Sequence, residues 1–425
     1  MNLFASASFG TLFARPWVDS AGLFGARRWF LPLSRLWAEA NLPGGRNRRS
    51  FERAEAARLA WEEAIFSGAD AGGGALDAGA LDDRRRRAAS WHMATRGRFL
   101  PELMARSAPI ARWNVSPPGE VERALAAAGE RPAWPGETAI RDSASFVREG
   151  LREYWLRGPT PSSALATRPG SERLYARVVE PADGSARETL ISGSGLCLEF
   201  ELLALDADPG RRLARQGWRV IEPISPYHGL RAMPGYYGGE PFYALAPLGT
   251  LDLIAGQALE TGALIAWARR RFGGPVGLSG VSMSSFVAQL VASVCGGWPA
   301  EARPDGVLLI SHSARSQDVT FGGELAAALG LDRALLAAGF TRETLARVST
   351  AIDPAPEPAL PAGRIVSALG STDRWVPYEG GVGLAEAWRL PAANRFEYRL
   401  GHLGMPVRLM RDSAPFERLR QVLRG

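Results

Sequence analysis

The sequence predicts an α/β fold, a mostly parallel sheet with helices on both faces. Three observations carry that reading. Beyond residue 170, short apolar segments alternate with helix-like ones. The apolar runs are nearly continuous, as in strands buried on both sides. One of these strands runs through a small-residue turn directly into a helix. The strands, in order, are RLYARVVEP (173–181), ETLISG (188–193), GWRVIEPI (217–224), GPVGLSGV (274–281), DGVLLISHS (305–313), GRIVSALGS (363–371) and NRFEYRLGH (394–402). Helical text separates them, most clearly LGTLDLIAGQALETGALIAWARRR before the fourth. In sheets of this kind, active groups gather at the carboxyl ends of the strands.

The chain has 425 residues, 46% hydrophobic and 22% charged. That suits one large globular domain with an appendage, or two domains, and contains no apolar run long enough to span a bilayer. The net charge of +6 is carried entirely by arginine, since the sequence has no lysine. This bias reads as the base composition of a GC-rich bacterial genome, and no basic and aromatic cluster of the nucleic-acid kind accompanies it. Two cysteines, Cys197 and Cys295, make no disulfide framework and imply a reducing, cytoplasmic setting. Neither a metal-ligand spacing nor a phosphate-binding glycine loop is present, so no metal or cofactor is expected.

Residues 1–165 read as a helical and irregular N-terminal extension, and residues 166–425 as the sheet domain. Within the extension, helical text runs to Phe66. Residues 68–83 read as a flexible Gly/Ala/Asp loop, and Arg84 to Arg87 as a solvated charge run. Met1 to Trp37 carries Phe4, Leu12, Phe13, Trp17, Leu23, Phe24, Trp29, Phe30, Leu33 and Trp37, with four arginines and a single acid, Asp19. Two readings stay open for this arm. It can lie in a membrane interface with its arginines toward anionic lipid, giving peripheral membrane association. It can equally pack on the sheet domain as a cap, which explains the tryptophans without a membrane.

The turn GVSMSS places Ser282 between Gly280 and Ser284, small residues on either side. The following helix sets Phe286, Leu290 and Val294 on one face. Such a strand–turn–helix is a nucleophile elbow, whose strained serine requires small neighbours two residues away. Ser279 lies within the strand. In elbow enzymes the acid and then the histidine follow the serine along the chain. Of His92, His228, His312 and His402, the last stands in a Gly-His-x-Gly loop after the final strand and is the expected general base. Asp373, just past GRIVSALGS, is the expected acid, with Asp318 its competitor after the preceding strand. The oxyanion donors are expected to be the backbone N–H of Met283 and that of Ser194 or Gly195. Tyr227, His228 and Arg231, after a third strand end, are candidate substrate contacts at the pocket rim, with a structural role for His228 the equal alternative.

With these residues the text from Glu172 to Arg424 resembles the alpha/beta-hydrolase superfamily. More narrowly, it is similar to the alpha/beta hydrolase domain-containing protein 18 family. The matching words are TLISGSGLCLEF, ISPYHGLRAMP, LDLIAGQALETGALIAWARRRFGGPVGLSGVSM, GSTDRWVP and GHLG. Two positions depart from that family: Ser284 and Ser285 stand where it has two glycines, and Tyr227-His228 where it has an aromatic pair. The resemblance implies the alpha/beta-hydrolase fold and a serine hydrolase of acyl esters, with membrane lipids the favoured substrates. The mostly helical stretch at about 312–362 sits where a lid insertion is common, and with the N-terminal helices it would form an apolar acyl slot. Alternatives are an acyltransferase with the same triad and a catalytically silent scaffold, the latter suggested by Ser284 alone.

Overall fold

The computed structural model describes Arg15 and residues 17–67, 77–129, 131–197 and 208–425. The arm residues Phe4, Leu12 and Phe13 lie outside that range. All seven strands read from the sequence are present: β4 (Arg173–Pro181), β5 (Thr189–Gly193), β6 (Arg219–Pro223), β7 (Val276–Val281), β8 (Gly306–Ile310), β9 (Ile365–Gly370) and β10 (Arg395–Tyr398). Three more precede them: β1 (Arg141–Asp142), β2 (Phe146–Arg148) and β3 (Leu151–Pro159). The sheet order is β1-β3-β4-β6-β5-β7-β8-β9-β10, with β2 paired to β3. From β6 to β10 all neighbours are parallel, while β1 to β4 pair antiparallel and β4 joins β6 antiparallel. The sheet therefore takes in residues ahead of position 166, where the sequence reading started it.

Both faces of the central strands β5, β7, β8 and β9 are buried, which is why those strands carry no charged residue. Along β8, Val307 and Leu309 face one core while Leu308 and Ile310 face the other. The first core packs under the helices Leu248–Phe272 and Met283–Val294, the second under Ala414–Arg424. Strand β3 breaks the apolar rule with Glu153, only 1% exposed. Arg211 pairs with it, and Arg177 lies 3.8 Å away while also binding Asp208 and Glu222. A carboxylate buried beside two guanidiniums escapes the cost of an unpaired buried charge.

The N-terminal helices Trp17–Gly25 and Leu31–Ala40 pack on this domain. Leu31, Leu36 and Trp37 join Tyr237, Tyr243 and Leu329 in one apolar cluster. Arg35, fully buried, donates to both oxygens of Glu240, also fully buried. Removing one partner of such a pair costs on the order of 3–5 kcal/mol, so the arm is tied firmly to the sheet domain. Outward, Trp17, Phe24, Trp29 and Phe30 remain exposed, with Arg27 and Arg28 beside them. Among the described residues no helix is long and apolar enough to cross a membrane.

Two expectations in the extension are corrected. The segment read as a loop through residue 83 is helical from Ala78, because Asp77 caps the helix by accepting the Ala80 N–H at 2.9 Å. The arginine run is solvated only at Arg84 and Arg87; Arg85 is buried, paired with Asp82 and stacked over Trp61 and Trp155.

Candidate active site

At the end of β7 the chain turns through Ser282, at φ 55° and ψ −117°, and enters the helix Met283–Val294. A positive φ is unusual for serine and stores strain of order 1–3 kcal/mol. The turn is held from below by the Ser282 N–H donating to Ile310 O at 2.9 Å and the Ser285 N–H donating to Ser282 O at 2.9 Å. A Cβ on Gly280 would lie 2.2 Å from Ser284 O, so that position admits only glycine. Ser284 fits the elbow because Gly193, on the neighbouring strand, lacks a side chain. Its hydroxyl also accepts the Val281 N–H at 3.0 Å and donates to Val281 O at 3.1 Å. The departure from two glycines is thus accommodated locally.

The sequence-named groups meet at this turn. His402 Nε2 lies 3.0 Å from Ser282 Oγ, and Nδ1 lies 2.7 Å from Asp373 Oδ2. An ionised carboxylate only accepts, so Nδ1 carries the proton and Nε2 accepts from the serine. Asp373 is held by the N–H groups of Trp375 and Val376, both donating to Oδ1 at 3.0 Å. Trp375 stacks on the imidazole at 5.3 Å and 20°. Burial alone would lower the His402 pKa. The charge and hydrogen bond of Asp373, with the charge of Asp19, outweigh it and raise the pKa above the ordinary histidine value. The competitor Asp318 faces Arg315 instead, and Arg374 pairs with Glu324 of the insertion, leaving Asp373 to the histidine.

The other histidines serve the framework. His312 is buried against Ser367 at 2.8 Å, and His92 packs on Trp37 and contacts Ser50. Sequence reading set Tyr227, His228 and Arg231 at a pocket rim; the structure buries all three, at 0%, 1% and 0% exposure. Arg231 turns inward because Glu260 accepts from both its terminal nitrogens, at 2.7 and 2.8 Å. His228 Nδ1 donates to Pro226 O at 2.9 Å and Nε2 accepts the Cys197 N–H at 3.0 Å. Burial holds this imidazole neutral, its pKa pushed down to about 4. His228 therefore anchors the loop that follows β5, the loop containing Ser194 and Gly195, both buried. The Met283 N–H opens a helix and has no partner within it.

The residue that sequence reasoning missed is Asp19. Its carboxylate, on the N-terminal helix, accepts the backbone N–H groups of His402 and Leu403. The only signal was its standing as the single acid in a basic arm.

The insertion after β8 forms four short helices: Ser316–Gly322, Glu324–Leu329, Leu331–Ala337 and Arg342–Ser349. Its far end closes where Asp353 accepts the Ser316 N–H at 2.8 Å.

No protein-family model and no curated protein matches the chain. Among solved structures it is similar to TT1662 from Thermus thermophilus, at 23% identity over 59% of this chain and 94% of that one, TM-score 0.41. It is also similar to acetyl xylan esterase from Paenibacillus sp. R4 (13%, 73% and 95%, 0.45). A third likeness is to an S-formylglutathione hydrolase from Agrobacterium tumefaciens (14%, 68% and 100%, 0.40). These are likenesses of outline. Strand order and the serine turn define the class within the molecule itself: a sheet with parallel strands from β6 onward, a strained serine after β7, an acid after β9 and a histidine after β10. This is the alpha/beta-hydrolase fold.

Proposed function

We propose that the protein is a serine hydrolase of carboxylic esters that works through an acyl-enzyme. The observation that carries this reading is the continuous relay from Asp373 through His402 to Ser282, at 2.7 and 3.0 Å, on a strained elbow. Ser282 Oγ attacks the ester carbonyl while His402 Nε2 takes its proton. Asp373 keeps the imidazole in the right tautomer and stabilises its cation without taking the proton. The carbonyl oxygen, now an oxyanion, is received by the Met283 N–H at the helix start and by the N–H of Ser194 or Gly195. His402 returns the proton to the leaving alcohol, and water then repeats the sequence to release the acid. If another alcohol replaces that water, the same groups perform acyl transfer. The silent-scaffold alternative loses its one argument, because Ser284 is seated without disturbing the turn.

For the acyl group we read an apolar chain. Leu329 of the insertion and Leu31, Leu36 and Trp37 of the arm share one cluster, which suits a lid over an acyl slot. Peripheral membrane contact is a second reading, favoured by exposed Trp17, Phe24, Trp29 and Phe30 beside Arg27 and Arg28. Sedimentation with anionic liposomes at low salt, lost at high salt, is its expected sign; equal recovery in the supernatant with and without liposomes would refute it.

The decisive experiment for the enzyme reading is a fluorophosphonate probe. Wild type should be labelled, Ser279→Ala should be labelled equally, and Ser282→Ala should be silent. Labelling that survives in Ser282→Ala would overturn the assignment.

A further inference from the structure

The helix Trp17–Gly25 reaches the far side of the histidine loop. Asp19, 7% exposed, accepts the His402 N–H at 2.5 Å and the Leu403 N–H at 2.9 Å. A Cβ on Gly401 would lie 2.0 Å from Asp19 Oδ2, so the carboxylate is seated directly on the backbone before the histidine. One turn further along the helix, a Cβ on Gly22 would lie 2.4 Å from Leu403 Cδ1 and 3.8 Å from Trp375. The ring of Trp375 is the one stacked on the imidazole. Thus the N-terminal helix binds the loop that carries His402 and passes close to the residue that flanks its ring.

We propose that Asp19 is a positioning residue for His402, clamping the backbone of its loop so that the ring stays between Asp373 and Ser282. The inference rests on the hydrolase reading above. Strand β10 is the last in the sheet order, so the loop that follows has a strand neighbour on one side only. The bond to Asp373 and the stack on Trp375 hold the ring but leave the main chain that carries it free to shift. Holding the main chain at two successive N–H groups removes that freedom. The His402 N–H is buried and the Leu403 N–H partly so, and without Asp19 each would lose the acceptor it has here. The carboxylate also places a second negative charge near the imidazole, which favours the cation formed during attack. No proton passes to Asp19, and it touches no substrate.

The test uses full-length protein and p-nitrophenyl butyrate. Ser282→Ala is measured first; if it keeps activity, the hydrolase reading itself fails, independently of Asp19. With Ser282→Ala inactive, Asp19→Ala should lower kcat by about 10- to 100-fold with KM within about twofold, the scale of a small misplacement of a reacting group. Gly401→Ala should do the same from the other side of the contact by displacing the carboxylate. The double variant should be no slower than Asp19→Ala alone, since both changes remove one interaction. Asp19→Asn keeps the shape, removes the charge and replaces one of the two accepting oxygens by an NH2 group that cannot accept, so one of the two backbone bonds is lost as well. Its acid limb of kcat/KM should move to lower pH, a shift that a purely structural role would not produce. Because Asp19→Asn is isosteric, this readout stands even if Asp19→Ala fails to fold. Wild-type kcat and an unmoved acid limb in Asp19→Asn, or multiplicative losses in the double variant, would overturn the proposal.

Discussion

Gly193→Ala tests how the elbow accommodates a serine at position 284. Gly193 ends β5 and lies in register with Gly280 of β7. A Cβ there would stand 2.6 Å from Ser284 Cβ and 2.8 Å from its Oγ, far inside contact distance. Ser284 is 2% exposed and cannot swing clear without giving up both bonds to Val281. Overpacking costs about 1–3 kcal/mol, and the two bonds contribute about 0.5–1.5 kcal/mol each. Gly193→Ala should therefore destabilise by about 2–6 kcal/mol and slow fluorophosphonate labelling of Ser282. Ser284→Gly alone forfeits only the bonds and should cost about 1–3 kcal/mol. In the double variant the clash is gone, so its stability should match Ser284→Gly rather than the sum. Urea unfolding followed by tryptophan fluorescence gives all four values. Additive losses, or a Gly193→Ala within about 0.5 kcal/mol of wild type, would refute the reasoning.

Two further outcomes follow from the same geometry. Asp373→Asn should lower kcat by on the order of 10⁴, because the imidazole loses the partner that fixes its tautomer; Asp318→Asn, paired only with Arg315, should change it little, and the reverse ranking would move the acid to the earlier strand. The kcat/KM profile should rise with pH as His402 becomes neutral, with its midpoint above the ordinary histidine value of 6.5, since Asp373 and Asp19 hold the proton on; a midpoint below that value would contradict the ion-pair argument.

Strands β5, β7, β8 and β9 were legible because both their faces are buried, which forces nearly unbroken apolar runs; β4, β6 and β10 were legible although they carry charged residues. Strand β3 was not. Leu151–Pro159 carries Arg152, Glu153 and Arg157, which read as exposed, whereas Glu153 is buried by virtue of Arg211 and Arg177. Only tertiary pairing makes such a segment a strand. Ser282, Asp373 and His402 were legible because each lies at or just past a strand end, where chain order and sheet order jointly constrain them. Tyr227, His228 and Arg231 follow a strand end too, but Pro226 and Cys197 draw His228 inward and Glu260 draws Arg231. Side-chain direction after a strand depends on such partners and is invisible in a local pattern. Asp19 lay furthest out of reach, since its partners are 383 and 384 residues away.

That separation has a consequence for biosynthesis. A ribosome releases Asp19 383 residues before His402, at roughly 5–20 residues per second. The elbow, the oxyanion loop and the insertion all emerge in between. During that interval the serine can be presented at its turn while its base has not yet been made, and the arm has no loop to hold. Contacts between such distant segments are the slowest to form. Under the proposed function, the relay is complete only after these two distant segments meet. A chain that has emerged no further than the elbow would carry Ser282 without its base.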